Sequence, residues 1–226
     1  MNPTVCSSIL LWKSLVGPSC ERYGTLVKRS HPRAIEIDTA GGKGAIPQRI
    51  ERATSDAAEE NRACRLFVLC DSDTRWPGDE ASAREMAAVR GACARHGVPH
   101  HFLQKRCAEN YIPDQVFETV RDDPRNSSPM NRFNALLRRS RAQRDHFPVK
   151  DGLTAGERAQ ALEAGLYNAS EEGDLNLLEV RLFEKRPRPL LRLSKERRDS
   201  FTADGLQARD GAGELEALLL AIAQEL

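Results

Sequence analysis

The sequence predicts an α/β fold in which a central, mainly parallel sheet is flanked by helices and followed by a mostly helical C-terminal portion. The apolar run 66–70 is typical of a strand buried on both faces. Candidate strands alternate with helical segments over the first half of the chain, which favours parallel strands joined by crossovers. A polar break at 122–130 ends this pattern. We therefore assign residues 1–122 to an α/β domain and residues 123–226 to a helical extension that packs on this domain or completes it.

Strands and helices alternate in the first domain. The predicted strands are 12–16, 34–40, 66–70 and 98–104. The predicted helices are 20–28, 45–62, 80–96 and a segment that follows the fourth strand and runs to about 120. Ser19 is a candidate N-cap of the first helix, while Gly97 and Pro99 end the third.

Helical patterns dominate the C-terminal portion. The predicted helices are 131–144, 154–167, 174–184 and 213–226. Thr154 and Glu157 have the spacing of a capping box at the start of the second of these helices. The last helix is amphipathic, with one apolar stripe formed by Leu215, Leu218, Leu219 and Ile222.

Composition excludes some classes of protein and leaves others open. The 226 residues carry a net charge of +1 and 30% of them are charged, so total charge identifies no class of partner. No apolar run approaches the roughly 20 residues of a membrane span, which predicts a cytoplasmic protein without a membrane partner. The six cysteines form no Cys-x-x-Cys pair, so we expect neither a zinc site nor a disulfide framework.

Two carboxylates follow the apolar strand. Asp71 and Asp73 lie where this strand ends, beside the crevice in which open α/β sheets bind ligands. Paired carboxylates suit a hard divalent cation such as Mg²⁺ or Mn²⁺. The alternative is an Asp-rich turn without a ligand.

A glycine-rich turn precedes this strand. Residues 41–44 read Gly-Gly-Lys-Gly and lie between a predicted strand and a predicted helix, an arrangement that can bind phosphate at a helix N-terminus. The spacing of a Walker A loop is absent. The alternative is a flexible turn from strand to helix.

Together these features resemble a known family. The Asp71-Ser72-Asp73 strand end, the Gly-Gly-Lys-Gly turn before it and the Glu-Asn-Tyr segment 109–111 after the next strand are similar to the Toprim domain of overcoming-lysogenization-defect nucleases and related prokaryotic defence proteins. The resemblance covers roughly residues 10–120. It implies a Toprim-like sheet and metal-assisted phosphodiester cleavage with Mg²⁺ or Mn²⁺.

The resemblance also implies roles for individual residues. Asp71 and Asp73 would hold a metal ion, and Glu109 would hold a second ion or orient a water molecule. Lys185 would correspond to a late lysine that stabilises charge in the transition state. The alternatives are that Glu109 is an ordinary acid in the first turn of a helix and that Lys185 lies on a solvated basic face.

One family motif departs from the pattern. The family's first strand ends in Glu-Gly and is followed by an Asp, whereas here no glutamate precedes Gly17 and Cys20 stands where the Asp is expected. Either Glu21 replaces the missing general base from one turn away, or the site is inactive.

Basic segments suggest a nucleic-acid partner. The helix at 131–144 and the segment 181–198 are rich in arginine, and such residues contact phosphates without reading bases. The alternative is that these arginines pair with acidic residues on helix surfaces. We expect DNA rather than RNA. No ATPase motif is present, although many family members are fused to an ATPase, so a separate ATPase subunit is a candidate partner and a homo-oligomer remains open.

Three functional hypotheses follow. The first is a Toprim-type endonuclease in defence against phage or mobile elements. The second is a binding or regulatory module on the same fold that has lost turnover. The third is a different Mg²⁺-dependent enzyme, either a phosphotransferase or a nucleotide-sugar transferase, for which the sequence shows no nucleotide-binding signature.

Overall fold

The computed structural model describes residues 43–59, 66–123, 130–179, 182 and 197–225. This part of the chain is mostly helical and contains a small two-stranded parallel sheet, so it is an α/β structure with little sheet. Several sequence-based predictions lie outside the described residues: the strands at 12–16 and 34–40, the helix at 20–28, Gly41, Gly42, Glu21 and Lys185.

The elements follow one another along the chain with short connections. The strands are β1 (Val68–Cys70) and β2 (His100–Phe102). The α-helices are α1 (Ile46–Glu59), α2 (Glu80–His96), α3 (Asp114–Arg121), α4 (Met130–Leu137), α5 (Arg141–Asp145), α6 (Ala155–Glu163), α7 (Glu172–Leu178), α8 (Ala203–Asp210) and α9 (Glu214–Glu225). Short 3₁₀ turns occupy Lys43–Ala45, Ala108–Tyr111, Ala169–Glu171 and Arg198–Ser200.

The two strands run parallel, with Leu69 opposite His101. Hydrogen bonds between the chains continue past the strands, because the Leu103 amide donates to the Cys70 carbonyl at 2.9 Å and the Asp73 amide donates to the Arg106 carbonyl at 2.8 Å. The segments that leave the carboxyl ends of β1 and β2 therefore run side by side.

β1 lies between two layers. Val68 and Cys70 face a small core formed with α1 and α2, whereas Leu69 packs against the larger core of the C-terminal helices. Successive side chains of a strand point to opposite faces, so a strand with apolar residues throughout suits a position covered on both sides. The prediction of a strand buried on both faces is confirmed.

Helix α2 begins and ends at the predicted residues. The Asp79 side chain accepts a hydrogen bond from the Ser82 amide, and Gly97 follows the last turn with φ +63°. Acidic N-caps satisfy free amides, and glycine adopts the left-handed conformation at low cost, so both ends have a local cause.

Several other helix boundaries differ from the prediction. The single helix predicted at 131–144 is wrong: α4 ends at Leu137, and Ser140 caps a new helix, α5, in a capping box with Gln143. Thr154 and Glu157 do form the predicted box, but α6 ends at Glu163, shortly before Gly165 with φ +72°. The helix predicted from 174 begins two residues earlier and ends at Leu178. In the first domain, a 3₁₀ turn precedes α3, which begins after Pro113.

The C-terminal helices form the larger core. Its most deeply buried large side chains include Tyr111, Phe133, Phe147, Leu175 and Leu178. Helix α9 joins this core through its apolar stripe, in which one leucine is buried and two neighbours pack against the cluster: Leu218, Leu215 and Ile222. None of the described helices combines the length and apolar character that a membrane span requires.

Candidate functional site

The acidic turn after β1 is tied to the chain that leaves β2. Ser72 is buried, and its hydroxyl donates to the Lys105 carbonyl at 2.8 Å. The Asp73 amide donates to the Arg106 carbonyl. Because these bonds continue the pairing of two parallel strands, the turn is held at the edge of the sheet where the strands end.

Glu109 reaches the same edge from the 3₁₀ turn Ala108–Tyr111. The Ala108 amide donates to Asp71 Oδ1 at 3.0 Å, and Glu109 is only 1% exposed. Asn110 fixes this turn, because its side-chain amide donates to the carbonyls of Arg144 (2.6 Å) and Phe147 (2.9 Å). The Glu109 carboxylate is therefore set beside Asp71 by buried hydrogen bonds.

Lys150 completes what we call the inner cluster, which consists of Asp71, Glu109 and Lys150. The Lys150 ammonium lies 2.9 Å from Glu109 Oε2 and 3.8 Å from Asp71 Oδ2. Lys150 comes from the turn between α5 and α6, and 40% of its side chain is exposed. One lysine thus neutralises two carboxylates that arrive from different strand ends.

The inner cluster is short of positive charge. Burial raises the pKa of Asp71 to about 6, the charges of Glu109 and Asp73 add to this rise, and Lys150 and the Ala108 amide oppose it. Burial lowers the pKa of Lys150, but the carboxylates of Glu109 and Asp71 outweigh burial and hold this pKa above its ordinary value. The ammonium is therefore charged, and the carboxylates would gain from a further cation.

Asp73 belongs to a second arrangement, the outer pair, which consists of Lys43 and Asp73. The Lys43 ammonium lies 2.8 Å from Asp73 Oδ2 and donates to the Ser72 carbonyl, also at 2.8 Å. Asp73 has φ +54°, a left-handed conformation that aspartate tolerates better than most residues. The Ser82 hydroxyl donates to the Asp73 carbonyl at 2.9 Å and holds this conformation in place.

The structure brings some predicted site residues together. Asp71 and Glu109 share Lys150, whereas Asp73, although adjacent in sequence, pairs with Lys43. Glu21 and Lys185 lie outside the described residues.

Sequence reasoning missed both lysines. Lys43 was recognised only as part of the glycine-rich turn, and Lys150 lies in a link without a motif, 41 positions after Glu109 in the chain. The glycines beside Lys43 were the available signal for the first, and nothing local indicated the second.

The donor set fits some metal ions and not others. No three His, Cys, Asp or Glu side chains among the described residues are grouped to hold a metal, which argues against a closed site. Mg²⁺ keeps several waters and binds proteins through one or two carboxylates together with substrate phosphates. Asp71 and Glu109 could supply these carboxylates, and buried Glu109 Oε2 has no hydrogen-bond partner of ordinary geometry within the described residues. The cluster therefore fits Mg²⁺ or Mn²⁺ in an open site.

A buried network supports the inner cluster from the C-terminal side. Glu214, at the start of α9, accepts hydrogen bonds from the Gln104 amide (2.8 Å) and the Tyr111 hydroxyl, and its Oε1 lies 2.7 Å from His101 Nε2. Burial raises the pKa of Glu214, but these partners outweigh it and hold the pKa below its ordinary value. Helix α9 thereby anchors the turn that carries Glu109.

The arginine-rich segment is largely engaged in ion pairs. Arg138 pairs with Asp174, and Arg144 pairs with Asp114. Arg139 is buried and pairs with Asp174 as well as with Glu171 on the neighbouring 3₁₀ turn. For these three arginines the structure agrees with the alternative that they pair with acidic residues.

No protein-family model, curated protein or solved structure matches this chain.

Proposed function

We propose that this protein is a Mg²⁺- or Mn²⁺-dependent phosphodiesterase that acts on nucleic acid, with the Toprim-type fold that its motifs resemble. The observation that carries the proposal is the inner cluster, in which two carboxylates from the ends of adjacent parallel strands share one lysine. In this proposal the predicted strands 12–16 and 34–40 extend the two-stranded sheet, and the helical remainder packs against it.

Asp71 and Glu109 hold the metal ion in this proposal. A bound Mg²⁺ supplies polarisation of a phosphate oxygen and a lower pKa for an attacking water. Glu109 is buried and fixed, so it keeps its carboxylate in one position as the ligands assemble. Lys150 and Lys43 lie on either side of the acidic turn, where an ammonium can contact the non-bridging oxygens of a phosphodiester.

The proposed setting follows from the family resemblance. We propose DNA as the substrate, defence against phage or mobile elements as the context, and a separate ATPase subunit as a partner. Glu21 and Lys185 keep their proposed catalytic roles, as general base and as a positive charge at the transition state.

A second candidate function is a binding or regulatory module without turnover. Two observations favour it: Lys150 already neutralises the acidic pair, and the glutamate expected before Gly17 is absent from the sequence. Such a module would bind nucleic acid through the same edge of the sheet.

A plasmid-nicking assay with Mg²⁺ or Mn²⁺ separates these proposals. We compare the wild type with Asp71→Asn and Glu109→Gln, each of which removes one charge without removing volume. Glu163→Gln, at an exposed position on α6, is the matched control. The nuclease proposal expects metal-dependent nicking by the wild type and the control, and its loss in both site variants.

The outcomes are distinct. Equal nicking by all four proteins would identify a contaminating nuclease and end the nuclease assignment. Binding of DNA by the wild type without cleavage, measured by fluorescence anisotropy, would favour the module.

A further inference from the structure

We propose that Lys150 is a displaceable counter-ion: its ammonium and a divalent cation compete for the same carboxylate oxygens of Asp71 and Glu109. In the metal-free protein Lys150 neutralises the pair, and metal binding releases it toward the open side of the site. This inference rests on the metal site of the proposed function and adds how that site is regulated.

The contacts place the ammonium where a cation would bind. Its nitrogen lies 2.9 Å from Glu109 Oε2 and 3.8 Å from Asp71 Oδ2. Since a magnesium ion lies only about 2.1 Å from its ligand oxygens, the ammonium could not keep both contacts without strong repulsion from the metal. The two cations therefore exclude each other.

The carboxylates are fixed and the lysine is free to move. Glu109 is 1% exposed, and Asp71 is held by the Ala108 amide. By contrast, 40% of the Lys150 side chain is exposed, and its flexible four-carbon stem begins in a surface turn. The displaced ammonium can swing outward while the acidic pair keeps its geometry.

The bond between Lys150 and Glu109 is electrostatic. Glu109 Oε2 has no hydrogen-bond partner of ordinary geometry among the described residues, although the ammonium is close to it. A contact held by charge, without a directional hydrogen bond, is readily exchanged for a contact with another cation. The doubly charged ion has the stronger attraction for two carboxylates, which sets the direction of the exchange.

Mn²⁺ binding tests the competition directly. We compare the wild type with Lys150→Met, which keeps the stem without the charge, by titration with Mn²⁺ at pH 8 followed by electron paramagnetic resonance. Lys150→Arg retains the positive charge, and Arg95→Met removes one positive charge from an exposed position on α2. We expect Lys150→Met to bind Mn²⁺ about tenfold more tightly. We expect Lys150→Arg to bind no more tightly than wild type and Arg95→Met to match it.

The result also separates this inference from the proposed function. If the wild type binds Mn²⁺ in a manner that Asp71→Asn abolishes, but Lys150→Met binds equally or more weakly, the displacement is overturned and the metal site stands. If none of the proteins binds Mn²⁺, the metal site fails and the inference fails with it.

A second measurement needs only the wild-type fold. The amine of Lys150 is acetylated by an N-hydroxysuccinimide ester, and the rate is followed by peptide mass spectrometry with and without Mg²⁺ at constant ionic strength. Release from the carboxylates should expose the amine and lower its pKa, so we expect several-fold faster acetylation with Mg²⁺ and no change in Asp71→Asn. An unchanged rate in wild type under saturating Mg²⁺ would overturn the displacement.

Discussion

The inner cluster and the outer pair begin in the same three-residue turn, yet their burial is reversed. In the inner cluster the acid is buried and the base is accessible, with Glu109 side chain 1% and Lys150 side chain 40% exposed. In the outer pair the base is buried and the acid is accessible, with the Lys43 side chain 12% and the Asp73 side chain 54% exposed. The buried member of an ion pair is fixed, and the exposed member can be exchanged.

This reversal suggests complementary uses. A fixed carboxylate pair whose lysine can leave suits a cation as its ligand. A fixed ammonium whose carboxylate can leave suits an anion, such as a phosphate group. A phosphodiester bound with a divalent cation presents both charges, and the two arrangements lie side by side at one sheet edge.

The largest expected difference between the two arrangements is in cleavage. We expect Asp71→Asn to reduce the single-turnover rate of DNA cleavage at least about 1,000-fold, and Asp73→Asn about tenfold, because only Asp71 belongs to the proposed metal pair. Equal losses in the two variants would show that Asp73 also enters the metal site.

The next effect concerns the support of the inner cluster. We expect Glu214→Gln to lower the free energy of unfolding at pH 7 by about 2 kcal/mol, because a buried carboxylate with several donors becomes neutral. The pKa of Glu214 is lowered in the folded protein, so its charge stabilises the fold above the ordinary pKa near 4.5 and this contribution is lost as pH falls through the folded value.

Urea unfolding at pH 7 and at pH 4 measures this effect. The difference between wild type and Glu214→Gln should shrink at the lower pH, whereas Glu163→Gln should change stability by less than about 0.5 kcal/mol at both. A difference that grows on acidification would contradict the stabilising role of the Glu214 charge.

The smallest expected effect is on the outer pair. We expect Lys43→Met to lower the free energy of unfolding by about 1 kcal/mol, because its ion-pair partner Asp73 is well exposed and the remaining loss is one hydrogen bond to the Ser72 carbonyl. Thermal unfolding measured at low and high salt checks this. A loss as large as that of Glu214→Gln would show that the outer pair is structural.

The parts that sequence patterns predicted well have local causes. Helix α2 has an acidic N-cap and a C-terminal glycine, β1 is an uninterrupted apolar run, and Thr154 with Glu157 forms a capping box. In each case the deciding contacts lie within a few residues of one another. The break at Ser140 was missed because an arginine-rich segment gave no strong stop signal before it.

The sequence by itself determined that Asp71 and Asp73 lie at a strand end, and its Glu-Asn-Tyr motif marked Glu109 as their companion. Only the tertiary structure decided how charges are shared: Lys150 joins Asp71 with Glu109, and Lys43 takes Asp73. The reason is that neighbouring residues in a turn point in different directions, and the left-handed backbone at Asp73 turns its carboxylate to Lys43. Ion pairs between distant segments depend on burial and packing, which no local pattern contains.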